Sequence, residues 1–106
     1  MLKITVLDIP AVQRFVLEGK LTEPWLSEVK SSWEQARTTR ESRRSVVDLM
    51  GVNAIDKGGE EVLLAMKREG ALFVACGVST KYRLQQLGIE CQPRGVSAKG
   101  TAERCL

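Results

Sequence analysis

The chain contains no histidine. That removes histidine phosphotransfer, Ser-His and Cys-His catalysis, and the commonest metal ligand. Cysteine is sparse and unpatterned. Cys76, Cys91 and Cys105 form an odd set without C-x-x-C spacing, which argues against both a disulfide framework and a zinc site. Cys76 lies in an apolar run and reads as a small buried hydrophobe. Unpatterned thiols suit a reducing compartment, so the expected location is cytoplasmic. Cys105 is next to last rather than fourth from last, the position that prenylation requires. Aromatic residues make up only 5% of the chain, which leaves aliphatic side chains to do most of the packing. No apolar run approaches the roughly 20 residues that span a bilayer. The N-terminus also lacks the basic and apolar regions of a secretory leader. These absences predict a non-enzymatic protein with no cofactor, no metal and no membrane partner.

What is present describes an ordinary globular domain. The chain has 106 residues, 43% of them hydrophobic and 27% charged, enough for one modest core. The net charge is +3, but Arg94, Lys99 and Arg104 against Glu103 place +2 of it in residues 93–106, leaving +1 for residues 1–92. A nearly neutral body attracts nucleic acid weakly. Residues 93–106 lack apolar periodicity and read as a flexible C-terminal tail, which leaves residues 1–92 as the folded domain.

Along that domain the periodicity alternates between two types. Leu2–Leu7 alternates as a strand, Asp8–Ala11 reads as a turn, and Val12–Leu17 reads as a second strand antiparallel to the first. Thr22 is a candidate N-cap, with Glu23 and Pro24 suited to a first helical turn. Trp25, Leu26, Val29, Trp33 and Ala36 then form one apolar face, so core packing is the simplest role for both tryptophans. Arg37–Arg44 reads as a polar connection and Ser45–Met50 as a strand. Gly59–Glu69 carries Val62, Leu63 and Met66 on one helical face, with Gly70 as its stop. Ala71–Cys76 reads as a buried strand, Ser79 as the cap of a short helix ending before Gly88, and Ile89–Gln92 as a last short strand. The predicted fold is a single-domain α/β mixed sheet. It opens with an antiparallel hairpin, continues through β-α-β units, and carries its helices mainly on one side.

The most informative stretch runs from Val46 to Leu63. A strand leads through Val52, Asn53, Ala54 and Ile55 into Asp56-Lys57-Gly58-Gly59-Glu60-Glu61 and a helix. Asp56 can cap that helix by accepting from the amide of Gly58 or Gly59. Glu60 and Glu61 suit the positive end of the helix dipole. The two glycines permit a tight turn and the close approach of another surface.

This pattern resembles the STAS family, the fold of bacterial anti-sigma factor antagonists. The family pattern has an Asp-Leu strand, then an apolar residue followed by Asp-Ser-Ser-Gly and a helix. Asp48-Leu49 matches the strand, Val52 and Ile55-Asp56 match the approach, and Gly59 matches the glycine, all without a gap. The element order from Leu2 to Ile89 is similar throughout. The resemblance implies a cytoplasmic module that acts in signal transduction and transcription regulation by binding a protein, such as an anti-sigma factor or a serine-kinase-type regulator. The implied contact residues are Asn53, Asp56, Lys57, Gly58, Gly59, Glu60 and Glu61, with Ser79 and Thr80 on the neighbouring loop. The departure from the pattern matters equally. In regulated members two serines occupy the positions of Lys57 and Gly58, and the second accepts phosphate from the partner kinase. Gly58 has no hydroxyl, so the usual off-switch is absent. Glu60 and Glu61 could bias the protein toward a phosphorylated-like state, but two flexible carboxylates beside Lys57 spread their charge, whereas a phosphate concentrates it.

Other readings rest on particular residues. A changed partner within a scaffold or sensory complex keeps the fold and drops the antagonist role. Lys57-Gly58-Gly59 at a helix start could hold a nucleotide or another anion, though it lacks the order of a Walker loop. Asp48 and Asp56 could form an acid/base pair, but no nucleophile or ligand cluster accompanies them. Arg37, Arg40, Arg43 and Arg44 could contact nucleic acid, but no interleaved aromatic residue is present to stack on bases. An exposed sheet edge or the tryptophan helix could support a homodimer.

Overall fold

The alternation of Leu2–Asp8 produces strand β1, which turns at Ile9–Ala11 and returns as β2, Val12–Leu21. The two pair antiparallel from Leu2 opposite Gly19 to Asp8 opposite Gln13. The computed structural model describes residues 2–75 and 77–91. Helix α1 covers Leu26–Arg40, β3 covers Arg44–Ile55, α2 covers Lys57–Arg68, β4 covers Leu72–Val74 and α3 covers Val78–Gln86. The sheet order is β1-β2-β3-β4, with β2, β3 and β4 parallel. The described residues therefore form a single α/β domain with a mixed four-stranded sheet and three helices, as the periodicity predicts.

Alternation along each strand separates two faces. Phe15, Leu17, Leu21, Val47, Leu49 and Phe73 pack with Leu26, Val29, Trp33 and Ala36 of α1, Val62, Leu63 and Met66 of α2, and Leu84 of α3. Trp33 is buried, meets Phe15 edge-on at a centroid distance of 5.2 Å, and donates its ring N–H to Glu69 Oε1 at 3.1 Å. Trp25 is only partly buried against the same core. The opposite face carries Val12, Val46 and Val74, with Ile9, Met50 and Leu72 around them. An ion pair lies among these residues. Arg14 donates through Nε at 3.0 Å and Nη2 at 2.8 Å to Asp48 Oδ2, while Asp48 Oδ1 accepts from the Met50 amide at 2.8 Å.

Several boundaries differ from the sequence reading, each for a tertiary reason. Thr22 does not cap α1. Residues Thr22–Trp25 form a tight turn in which the Trp25 amide donates to Thr22 O, and Trp25 is the N-cap without a side-chain bond. Arg37–Arg40 belong to the helix and not to a connection. Their side chains find partners that hold the last turn. Arg37 grips both oxygens of Glu69, and Arg40 donates to Ser45 Oγ and lies 5.4 Å from the Trp33 ring centre. Arg43 reaches Asp8, Ile9 O, Arg40 O and Thr39 O. Asn53–Ile55 form strand and not loop, because β2 also runs on to Leu21 and pairs Lys20 with Ala54 and Leu21 with Ile55. The strand after Gly70 is shorter than expected, Leu72–Val74. Gly70 ends α2 at φ +92, as the pattern predicts. Ser79 does not cap α3, whose N-cap is Gly77. Cys91 makes one parallel bridge to Phe73 in place of a full last strand. The expectations for Cys76, Gln92, the 93–106 tail and Cys105 lie outside the described residues.

The Arg14–Asp48 pair generates a prediction. Both side chains are largely buried, 14% and 12% exposed. Removing Asp48 takes away the carboxylate that balances the largely buried Arg14 charge, so Asp48→Ala is expected to cost about 3 kcal/mol in urea unfolding. The Arg14→Met/Asp48→Leu double variant is expected to recover most of that loss, because an apolar pair fits the surrounding valines. If the double variant were as unstable as Asp48→Ala, lost charge balance at Arg14 would not be the cause.

Candidate functional site

The residues that the sequence singles out meet at one end of the sheet, where β2 and β3 stop. Asp56 is the N-cap of α2, with extended backbone and its side chain turned back over the first turn. Oδ1 accepts from the Gly59 amide at 2.7 Å. Oδ2 accepts from the Glu23 amide, in the turn before α1, at 3.1 Å. One carboxylate therefore satisfies donors from two crossover connections. These two amides, Gly59 first, hold the Asp56 carboxyl below its ordinary value of 3.8.

The backbone beneath it is equally constrained. The Asp56 amide donates to Leu21 O at 3.3 Å. Gly59 lies so close to that carbonyl that an added Cβ would come within 2.3 Å of it. Glycine at position 59 is thus a matter of space. Gly58 differs, since a Cβ there would meet the Leu26 Cδ1 methyl at 2.7 Å, the end of a flexible side chain. Lys57 and Gly58 belong to the first helical turn and not to a loop. Lys57 and Glu61 are exposed, whereas Glu60 turns sideways and accepts from Arg83 Nη1 at 2.8 Å, linking α2 to α3.

Asn53, Ala54 and Ile55 line a cleft of about 110 Å³ with Ser79, Thr80 and Arg83. The structure therefore brings the end of β3 and the start of α3 together. Ser79 and Thr80 are inside the helix, with no side-chain cap bond at its start. Arg83, Glu23 and Leu26 also reach this end of the sheet. Arg83 follows Ser79 by one helical turn, a spacing that could have flagged it. Glu23 and Leu26 lie in the distant β2–α1 connection and the start of α1, and no local signal marks them.

Asp48 and Asp56 do not form an acid/base pair. Asp48 is engaged by Arg14 on the valine-lined sheet face, and Asp56 by two backbone amides. Among the described residues no three His, Cys, Asp or Glu side chains gather as a metal site, and no helix is long and apolar enough to cross a membrane. A larger groove of about 300 Å³ runs between α1 and α2, lined by Trp33, Val62, Ala65 and Met66 with Lys30 and Glu61 among its charged residues. The Arg37–Glu69 pair is also part of its lining. Burial raises the Glu69 carboxyl, but the Arg37 and Trp33 hydrogen bonds and the Arg37 charge outweigh it and hold the group below its ordinary range.

No protein-family model matches the chain, and a search of curated proteins likewise gave no match.

Two expected outcomes follow from the Asp56 junction. Gly59→Ala forces a Cβ against a backbone oxygen and is expected to destabilise the domain by about 1–3 kcal/mol, read as a lowered urea midpoint. Asp56→Ala removes a carboxylate whose folded pKa is depressed. Its stabilisation is therefore fully present above the unfolded value and is lost as pH falls through the folded value. The wild-type and Asp56→Ala midpoints should differ at neutral pH and converge below 3.8. A difference that persisted unchanged well into that acid range would exclude charge-assisted capping.

Proposed function

We propose that this chain is a non-enzymatic regulatory module that binds another protein through the end of the sheet where α2 and α3 begin. In this reading it resembles a bacterial anti-sigma factor antagonist, working in the cytoplasm in signal transduction and transcription regulation. Its partner is an anti-sigma factor or a related serine-kinase-type regulator. The observation that carries the reading is the cleft that Asn53, Ala54 and Ile55 at the end of β3 form with Ser79, Thr80 and Arg83 of α3, directly before the Asp56-capped start of α2. The cap satisfies the inward donors and leaves Lys57 and Glu61 exposed. A rigid helix end with outward side chains suits recognition better than turnover, since it presents shape and charge at little entropic cost.

The module is constitutive in this reading. Gly58 cannot accept phosphate, and Glu60 is committed to Arg83, so it does not imitate a phosphate. Binding is governed by the presence of the partner and not by modification of this loop.

The test is affinity capture from the source cells with tagged wild-type and Asp56→Ala proteins, with mass spectrometry of what is retained. A serine-kinase-type protein retained by the wild type and lost from a folded Asp56→Ala variant is the expected result. Equal retention by both would remove the α2 start from the interface. In the same cells the Gly58→Ser variant, which requires only a shift of the Leu26 methyl, is expected to acquire phosphate at position 58 if the partner is such a kinase.

A further inference from the structure

Three large hydrophobic side chains stand exposed among the described residues: Leu7, Val78 and Tyr82. Two of them share one turn of α3. Val78 is 87% exposed and Tyr82 60% exposed, and their i, i+4 spacing sets them side by side. Scattered single apolar residues on a surface require no explanation. An adjacent pair on a nine-residue helix with one buried anchor, Leu84, does. Neither side chain belongs to the buried core. Val78 is β-branched and so costs the helix start side-chain freedom, and the Tyr82 hydroxyl accepts from Gln86 of the same helix at 3.0 Å.

The polar surroundings define what could cover the pair. Helix α3 contains Lys81 and Arg83 and no Asp or Glu. Lys81 neighbours both Val78 and Tyr82 on the helical net. Arg83, on the flank toward the cleft, is already drawn to Glu60. A second copy docked α3 against α3 would bring the Lys81 ammonium groups of both chains together and is disfavoured by their like charge.

We infer that the Val78–Tyr82 face of α3 is a docking surface for an acidic segment of another protein, with an aromatic or aliphatic anchor covering the pair and neighbouring carboxylates meeting Lys81. The inference shares the reading of the chain as a protein-binding module but not the residues that carry it, since Asp56 takes no part. The occupant is identified by its chemistry. It has apolar surface to desolvate Val78 and the Tyr82 ring, and negative charge on the Lys81 side.

The test is selection of a displayed random peptide library on the intact, folded chain, with Val78→Ser/Tyr82→Ser and Lys81→Glu variants as counter-screens. Both variants change exposed side chains and are expected to fold normally. Enriched peptides are expected to carry an apolar anchor flanked by Asp or Glu, and to lose about tenfold or more in affinity on the serine double variant, about 1.4 kcal/mol. Lys81→Glu is expected to weaken the same peptides, and added salt to slow their association. Absence of enrichment, enrichment of basic peptides, or undiminished binding to the serine variant would overturn the inference. So would sedimentation showing a wild-type dimer that the serine variant abolishes. Peptides that respond to Val78→Ser/Tyr82→Ser but not to Asp56→Ala keep the α3 surface even if the α2 site fails. Loss confined to Asp56→Ala does the reverse.

Discussion

The arrangement at the end of the sheet depends on one carboxylate with two tasks. Asp56 closes the first turn of α2 through Gly59 and, through its other oxygen, accepts the amide of Glu23 in the turn that launches α1. The chain has left the sheet at both places, and each exit strands donors that the strands can no longer satisfy. Bringing the two exits together lets a single side chain satisfy both. The Asp56 amide completes the junction by bonding Leu21 O, so the ends of β2 and β3 and the starts of α1 and α2 are fixed relative to one another. Gly59 is the residue that lets the backbone come this close.

The rest of the fold extends from that junction. The parallel crossovers β2-α1-β3 and β3-α2-β4 lay their helices over Phe15, Leu17, Val47, Leu49 and Phe73, and the Trp33–Glu69–Arg37 contacts join α1 to the end of α2. The opposite face uses a different solution, a ring of valines around Arg14 and Asp48. A slip of one residue in β2 or β3 would turn those charges into the helix-side core. The pair therefore penalises the wrong register more than it stabilises the right one.

The features legible in the sequence were those with local signals. The β1–β2 hairpin, the Asp56 cap, the apolar face of α2 and the stop at Gly70 are each written within a few residues. What could not be read depended on distant partners. The turn at Thr22–Trp25 is organised by a carboxylate more than 30 residues later. The last turn of α1 is held by Glu69 and Ser45, so a run of arginines that looks like solvated linker is helical. Gly51 and Asn53 have poor strand propensity, yet they lie in a strand because β2 continues beside them. The candidate site was legible at Asp56–Glu61, Ser79 and Thr80. Arg83 and Leu26 were not, because only folding brings them there.

The first turn of α2 also divides its labour residue by residue. Asp56 and Gly59 face inward and are fixed by hydrogen bonding and by space, while Lys57 and Glu61 point to water with no structural duty that the fold enforces. Mutational drift can therefore act on the outward pair almost without cost to folding. A lineage carrying this domain could retune the charge at this end of the sheet while the architecture beneath it stays unchanged.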